Sequence, residues 1–172
     1  MIHIYTDGSC HGNPGPGGWA AIIENGGDKT RLSGSEKETT NNRMELLAVI
    51  RGLQSTPKQN DVTIFSDSQY VINTMTKGWK RKANQDLWAL LDIEVRERHI
   101  IWEWIRGHSG NPGNEEADAL ANEQIVSDLS SKTRLSHLDQ EGNAHMVNVG
   151  GKKTTDRMAT AKGSVYMKSS TL

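Results

Sequence analysis

The order in which apolar patterns succeed one another constrains the fold of this chain more than any other feature. Three strand-like runs come first, Ile2 to Tyr5, Trp19 to Glu24 and about Thr30 to Ser35, separated by Gly/Pro-rich turns and by Gly26-Gly27. Such runs suggest an antiparallel meander. The period then changes. From Asn42 to Leu53, Leu46, Ile50 and Leu53 recur at helical spacing, with Leu47 widening the stripe. Val62 to Phe65 reads as a short buried strand after the breaker Pro57, and a helix follows from about Ser68 to Thr76. A further helix is expected over Gln85 to Arg98, a strand over Ile100 to Ile105 and a last helix from near Pro112. Strands in succession and then helices alternating with strands predict an α/β fold: a mixed five-stranded sheet with an antiparallel three-strand meander and flanking helices.

At 172 residues the chain suffices for one ordinary domain with a sizeable core. It has no run near the roughly 20 apolar residues that span a bilayer, and no basic-then-apolar leader precedes Ile2. Cys10 is the only cysteine, which excludes an internal disulfide and favours a reducing compartment. A cytoplasmic monomer without membrane attachment is expected. The net charge of −1 looks wrong for a protein that holds a polyanion, but its distribution is uneven. Residues 1–126 carry 13 basic and 17 acidic residues, whereas residues 127–172 carry 7 and 4.

Four acids stand where strands end or within helices: Asp7 after the first strand, Glu45 opening the first helix, Asp67 after the fourth strand and Asp118 in the last helix. In an α/β sheet such positions converge, and a cluster of carboxylate oxygens suits Mg²⁺. Each acid also has a structural reading. Asn42 with Glu45 fits a capping box, Ser66 with Gln69 fits another with Asp67 at the first helical position, and Asp7-Gly8-Ser9 could be a turn. Asp118, flanked by Ala117 and Ala119, has no capping role to explain it.

The surrounding words are more specific. Tyr5-Thr6-Asp7-Gly8-Ser9-Cys10, the Gly/Pro-rich run Gly12 to Trp19, Thr39-Thr40-Asn41-Asn42-Arg43-Met44-Glu45-Leu46 and Ser66-Asp67-Ser68-Gln69-Tyr70-Val71 occur in that order. Trp104-Ile105-Arg106-Gly107-His108-Ser109-Gly110 and Gly113-Asn114-Glu115-Glu116-Ala117-Asp118 follow them. Over residues 1 to about 125 the chain resembles type 1 ribonuclease H of bacteria. The resemblance implies an endonuclease that hydrolyses the RNA strand of an RNA–DNA hybrid to 5′-phosphate and 3′-hydroxyl ends. It implies two Mg²⁺ ions, or Mn²⁺, held by Asp7, Glu45, Asp67 and Asp118, with His108 assisting proton transfer and product departure. Glu115 matches a further acid near the site.

By the same resemblance Gly8, Ser9, Cys10, Asn13, Asn41, Asn42 and Gln69 meet the minor groove, where the 2′-hydroxyl marks RNA. Thr40 and Asn42 lie where the family binds a DNA-strand phosphate. Between Lys77 and Trp88 the chain departs from longer members, which carry an extra basic helix there. Trp79, Lys80 and Arg81, within the basic run Lys77 to Lys82, remain as a candidate phosphate patch with one aromatic platform, a solvated loop being the plainer reading.

Residues 127–134 read as a polar linker after a catalytic domain of residues 1–126. Beyond it, Leu135-Ser136-His137-Leu138-Asp139, Asn143 to Val149, Thr155 to Ala159 and Tyr166 to Leu172 resemble the start of cyclic pyranopterin monophosphate synthase, a molybdenum-cofactor enzyme. Asn148 stands where that family usually has Asp, and a tail of this length cannot contain that enzyme's active site. Two alternatives accompany the nuclease reading: a non-catalytic hybrid-binding protein and a truncated bifunctional fusion with the molybdenum-cofactor enzyme. A transposase or integrase core is disfavoured by the contiguous minor-groove words.

Overall fold

The structure, a computed structural model, describes the backbone of residues 1–132 and the side-chain environments of residues 1–125. The reading of residues 135–172 lies outside the described residues. Strands β1 (Ile2–Cys10), β2 (Gly15–Asn25) and β3 (Asp28–Thr39) form the expected meander. Helix α1 (Asn41–Gln54), strand β4 (Val62–Ser66), helices α2 (Gln69–Lys77) and α3 (Gln85–Val95), strand β5 (Ile100–Trp104) and helix α4 (Pro112–Lys132) follow. They build one five-stranded sheet in the order β3-β2-β1-β4-β5, with β1, β4 and β5 parallel.

The two faces of the sheet are covered separately. Because successive strand residues point to opposite faces, Ala21 and Ile23 of β2 join the larger core while their neighbours Ala20 and Ile22 join the smaller one. The larger core packs Ile2, Ile4 and Ile64 against Met44, Leu46 and Leu53 of α1 and Trp88 and Leu91 of α3. Each such side chain contributes about 1.5–3 kcal/mol through removal from water. On the other face Ala117 and Ala121 of α4 lie against β2. The approach is close: a Cβ at Gly18 would fall on the Ala121 carbonyl oxygen.

Several boundaries differ from expectation. Strand β1 runs past Tyr5, so Asp7 lies inside it, paired with Ala20, rather than after it. The α3 helix stops at Val95, where Arg96 is extended and Glu97 takes φ +64°, so Arg98 is not helical. At the other end of the chain, helix α4 continues through Lys132. Residues 127–132, read as a linker, are therefore helical, because Ser127 to Lys132 contains neither Gly nor Pro to stop the helix.

Candidate active site

The carboxylates are brought together by register. Thr6 of β1 is paired with Ser66 of β4, so the next residues, Asp7 and Asp67, emerge side by side at the ends of adjacent parallel strands. Glu45 reaches them from α1 because Gly8 lets the helix approach. A Cβ at Gly8 would fall on the Glu45 backbone nitrogen. The side-chain oxygens of Asp7, Glu45 and Asp67 lie within 4.8 Å of one another.

The capping readings do not hold. Thr40, not Asn42, precedes α1 as its N-cap, and Glu45 is the fifth helical residue, buried beneath Gly8. Ser68 caps α2 by accepting from the Val71 N–H at 3.4 Å, which leaves Asp67 before the helix rather than at its first position.

Asp118 of α4 stands beside this trio, close enough for its charge to raise the Asp7 carboxyl. The pKa of Asp7 is pushed up to about 7 by burial first, then by the negative charges of Asp67 and Asp118. Glu45 lies well above the usual carboxylate range, again through burial and then the charges of Asp7 and Asp67. One of its oxygens, Oε1, accepts from Asn41 Nδ2 at 3.4 Å, while the buried Oε2 has no partner. Crowded acids with an orphaned buried oxygen are the donor set that a hard divalent cation satisfies. The residues present fit such an ion.

His108 sits in the loop after β5, exposed, with φ +51° and its Nδ1 3.8 Å from Asp118 Oδ2. The loop is tied back by Glu115, whose Oε1 accepts from the Gly110 N–H at 2.9 Å. Trp104 Nε1 donates to the Asp67 carbonyl at 3.1 Å, fixing the backbone that carries this acid.

A comparison with known proteins now decides the family. The family model described as RNase H matches residues 1–126. The chain belongs to the RNase H family. It is 50% identical to the ribonuclease H of Dechloromonas aromatica over 137 residues, covering 72% of this chain and 93% of that one. The ribonuclease H of Thiobacillus denitrificans is 45% identical over 139 residues, covering 73% and 94%. Among solved structures, LC11-RNase H1 in complex with an RNA/DNA hybrid superposes with a TM-score of 0.66 at 30% identity, covering 75% of this chain and 99% of that one. As an RNase H this chain is a nuclease, a hydrolase of phosphodiester bonds.

The remaining candidate residues of this RNase H divide into groups. Ser9, Cys10, Thr40 and Asn41 are half-buried around the acids, and Asn13, Asn42 and Gln69 are exposed. Asn13 Oδ1 accepts from the Asn41 backbone N–H at 3.4 Å, joining the turn before β2 to the start of α1. Gly8 is buried, and its backbone N–H faces the Asp7 and Glu45 carboxylates. Trp79 and Lys80 are exposed in the loop between α2 and α3. Arg81 is not free like them. It pairs with Asp92 at 2.6 Å and lies 4.6 Å over the Trp88 ring.

One residue escaped the sequence reading. Asn122 accepts from Ser9 Oγ at 2.8 Å and donates to Asp118 Oδ1 at 2.8 Å, joining β1 to α4 beside the acids. Its signal was its place one helical turn after Asp118, on the same face.

Proposed function

We propose that this chain hydrolyses the RNA strand of RNA–DNA hybrids endonucleolytically, leaving 5′-phosphate and 3′-hydroxyl ends. The observation that carries the reading is the convergence of Asp7, Glu45 and Asp67 with Asp118 beside them. Membership of the RNase H family and likeness to a structure solved with a hybrid support the substrate.

Asp7, Glu45, Asp67 and Asp118 hold the metal, Mg²⁺ or Mn²⁺, as two ions. When bound, the ions supply charge stabilisation at the scissile phosphate and activation of the attacking water. The chain's own residues do the rest. Asn122 and Trp104 keep Asp118 and the Asp67 backbone in place. His108, on its exposed loop, takes up and releases protons near the leaving side, as an imidazole titrating near neutrality can. Ser9, Cys10, Asn13, Asn41, Asn42 and Gln69 present hydroxyl, thiol and amide groups, and the amides both donate to and accept from a 2′-hydroxyl. Gly8 acts through its small size, and Thr40 with Asn42 receives a phosphate of the DNA strand. Trp79 and Lys80 contact the hybrid beyond, while Arg81 orders the loop that presents them.

We place the enzyme in the cytoplasm as a monomer; among the described residues no helix is long and apolar enough to cross a membrane. The catalytic domain comprises residues 1–126. The test is direct: labelled RNA–DNA hybrid, double-stranded RNA and double-stranded DNA are incubated with the protein in Mg²⁺ or Mn²⁺, and product ends are mapped. Cleavage confined to the RNA strand of the hybrid supports the reading, and cleavage of DNA duplex at a similar rate defeats it.

A further inference from the structure

Between α2 and the edge strand β5 lies a cleft of about 370 Å³ that none of the steps above uses. One wall is aromatic, formed by Trp102 and Trp104, two residues apart on β5 and hence on the same face. The other is a helical stripe, Gln69, Asn73 and Lys77 at successive i, i+4 positions of α2, with Ile72 between them. Trp104 remains 47% exposed, unusual for an indole flanked by core residues. The side chains of Gln69, Asn73 and Lys77 make no hydrogen bond or ion pair among the described residues, and no Asp or Glu lines the cleft. A flat apolar ring, two free amides and an unpaired ammonium form the chemistry that receives one nucleotide: a π-face for the base, amides for its edge or a 2′-hydroxyl, and a cation for the phosphate.

The cleft also begins where the acids end. The indole nitrogen of Trp104 is bonded to the carbonyl of Asp67, and Gln69 is two residues from it. A base inside a duplex is stacked on both faces and cannot offer one to Trp104. We infer that this cleft binds a single unpaired nucleotide of the RNA strand where it leaves the hybrid, so that the enzyme engages junctions between hybrid and single-stranded RNA more tightly than blunt hybrid. The inference rests on the hybrid-cleavage reading and adds a subsite to it.

The experiment compares KM and kcat on a blunt hybrid and on the same hybrid with one unpaired RNA nucleotide at the 5′ end, the 3′ end, or replaced by an abasic residue. An unpaired DNA nucleotide serves as a further arm. An RNA extension at one end is expected to lower KM about tenfold, within the range for stacking one base on an aromatic side chain, with the abasic extension giving little of it. The variant Asn73→Glu, which puts an acid into the cleft away from the acid cluster, is expected to cleave blunt hybrid like the wild type and to lose the gain. Trp104→Ala should lose it as well; should that variant fail to fold, Asn73→Glu carries the test alone. No gain from either RNA extension, an equal gain from the abasic one, or a gain from the DNA extension only would overturn the inference. So would a Trp104-dependent dimer in sedimentation, which would make a second copy the occupant. Failure to cleave blunt hybrid at all is a different result, and it strikes the function itself.

Discussion

The two ends of α1 each hold a buried charge, and they are built on opposite principles. At the start, Glu45 is buried among like charges, with one oxygen unpartnered. Beyond the other end the guanidinium of Arg98 is equally withdrawn from water, but it donates to Thr56 Oγ1, Pro57 O, Leu53 O and Thr56 O at 2.8–3.1 Å. Only its Nε lacks a partner, and Glu94 lies 3.6 Å away. A positive charge at a helix C-terminus that also satisfies the last carbonyls stabilises the fold. A negative charge among others does not. The difference separates a clamp from a site: one end is complete without a ligand, and the other is completed by a cation.

The comparison breaks most decisively at Glu45. Glu45→Gln should lower kcat at saturating hybrid by at least on the order of 10²–10³-fold, the scale for losing one preorganised electrostatic group. Its metal-free melting temperature should be unchanged or higher, because one repulsive charge is gone. Near-wild-type turnover would remove Glu45 from the site.

Arg98→Ala should do the reverse. Losing charged hydrogen bonds and leaving carbonyls unpaired should cost about 3 kcal/mol in urea unfolding, with kcat per folded molecule retained. A folded variant that had lost turnover would show that the clamp serves chemistry.

A smaller effect lies in pH. The folded-state pKa of Asp7, about 7, is above the unfolded value near 3.8. Its stabilising contribution is therefore fully present below the unfolded value and is lost as pH rises through the folded one. In EDTA, stability should fall between about pH 4 and 7 by on the order of 2 kcal/mol, less than an isolated shift of that size gives because the acids share protons. Asp7→Asn should flatten this slope and Arg98→Ala should keep it. A slope unchanged by Asp7→Asn would locate the titration elsewhere.

The smallest effect is expected from the tail. A chain ending at Lys132 keeps every residue of the site and the whole of α4, and its kcat should stay within about twofold, while the loss of basic residues beyond that point weakens the salt dependence of KM by a fraction of a unit per phosphate contact. Collapse of kcat in a folded truncated chain would mean that the tail completes the site.

Much of this protein was legible in its sequence. Apolar spacing is local, so the meander, the helices and the five-strand sheet followed from the period at which Ile, Leu and Val recur. The acids and His108 were legible as parts of words in a known order. Tertiary structure alone decided three matters. Strand register placed Asp7 beside Asp67, because pairing Thr6 with Ser66 is a long-range choice that no local pattern contains. The close approach of α1 to Gly8 turned Glu45 from a candidate helix cap into a buried member of the acid group, and burial is a property of what packs above a residue. Arg81, chemically indistinguishable from Lys80 and Lys82 as part of a basic run, was drawn onto Trp88 and Asp92 because α3 happens to present both to it. Residue type and spacing determine which chemistry a chain can perform, whereas the partners that direct each charge are chosen by segments far away in sequence.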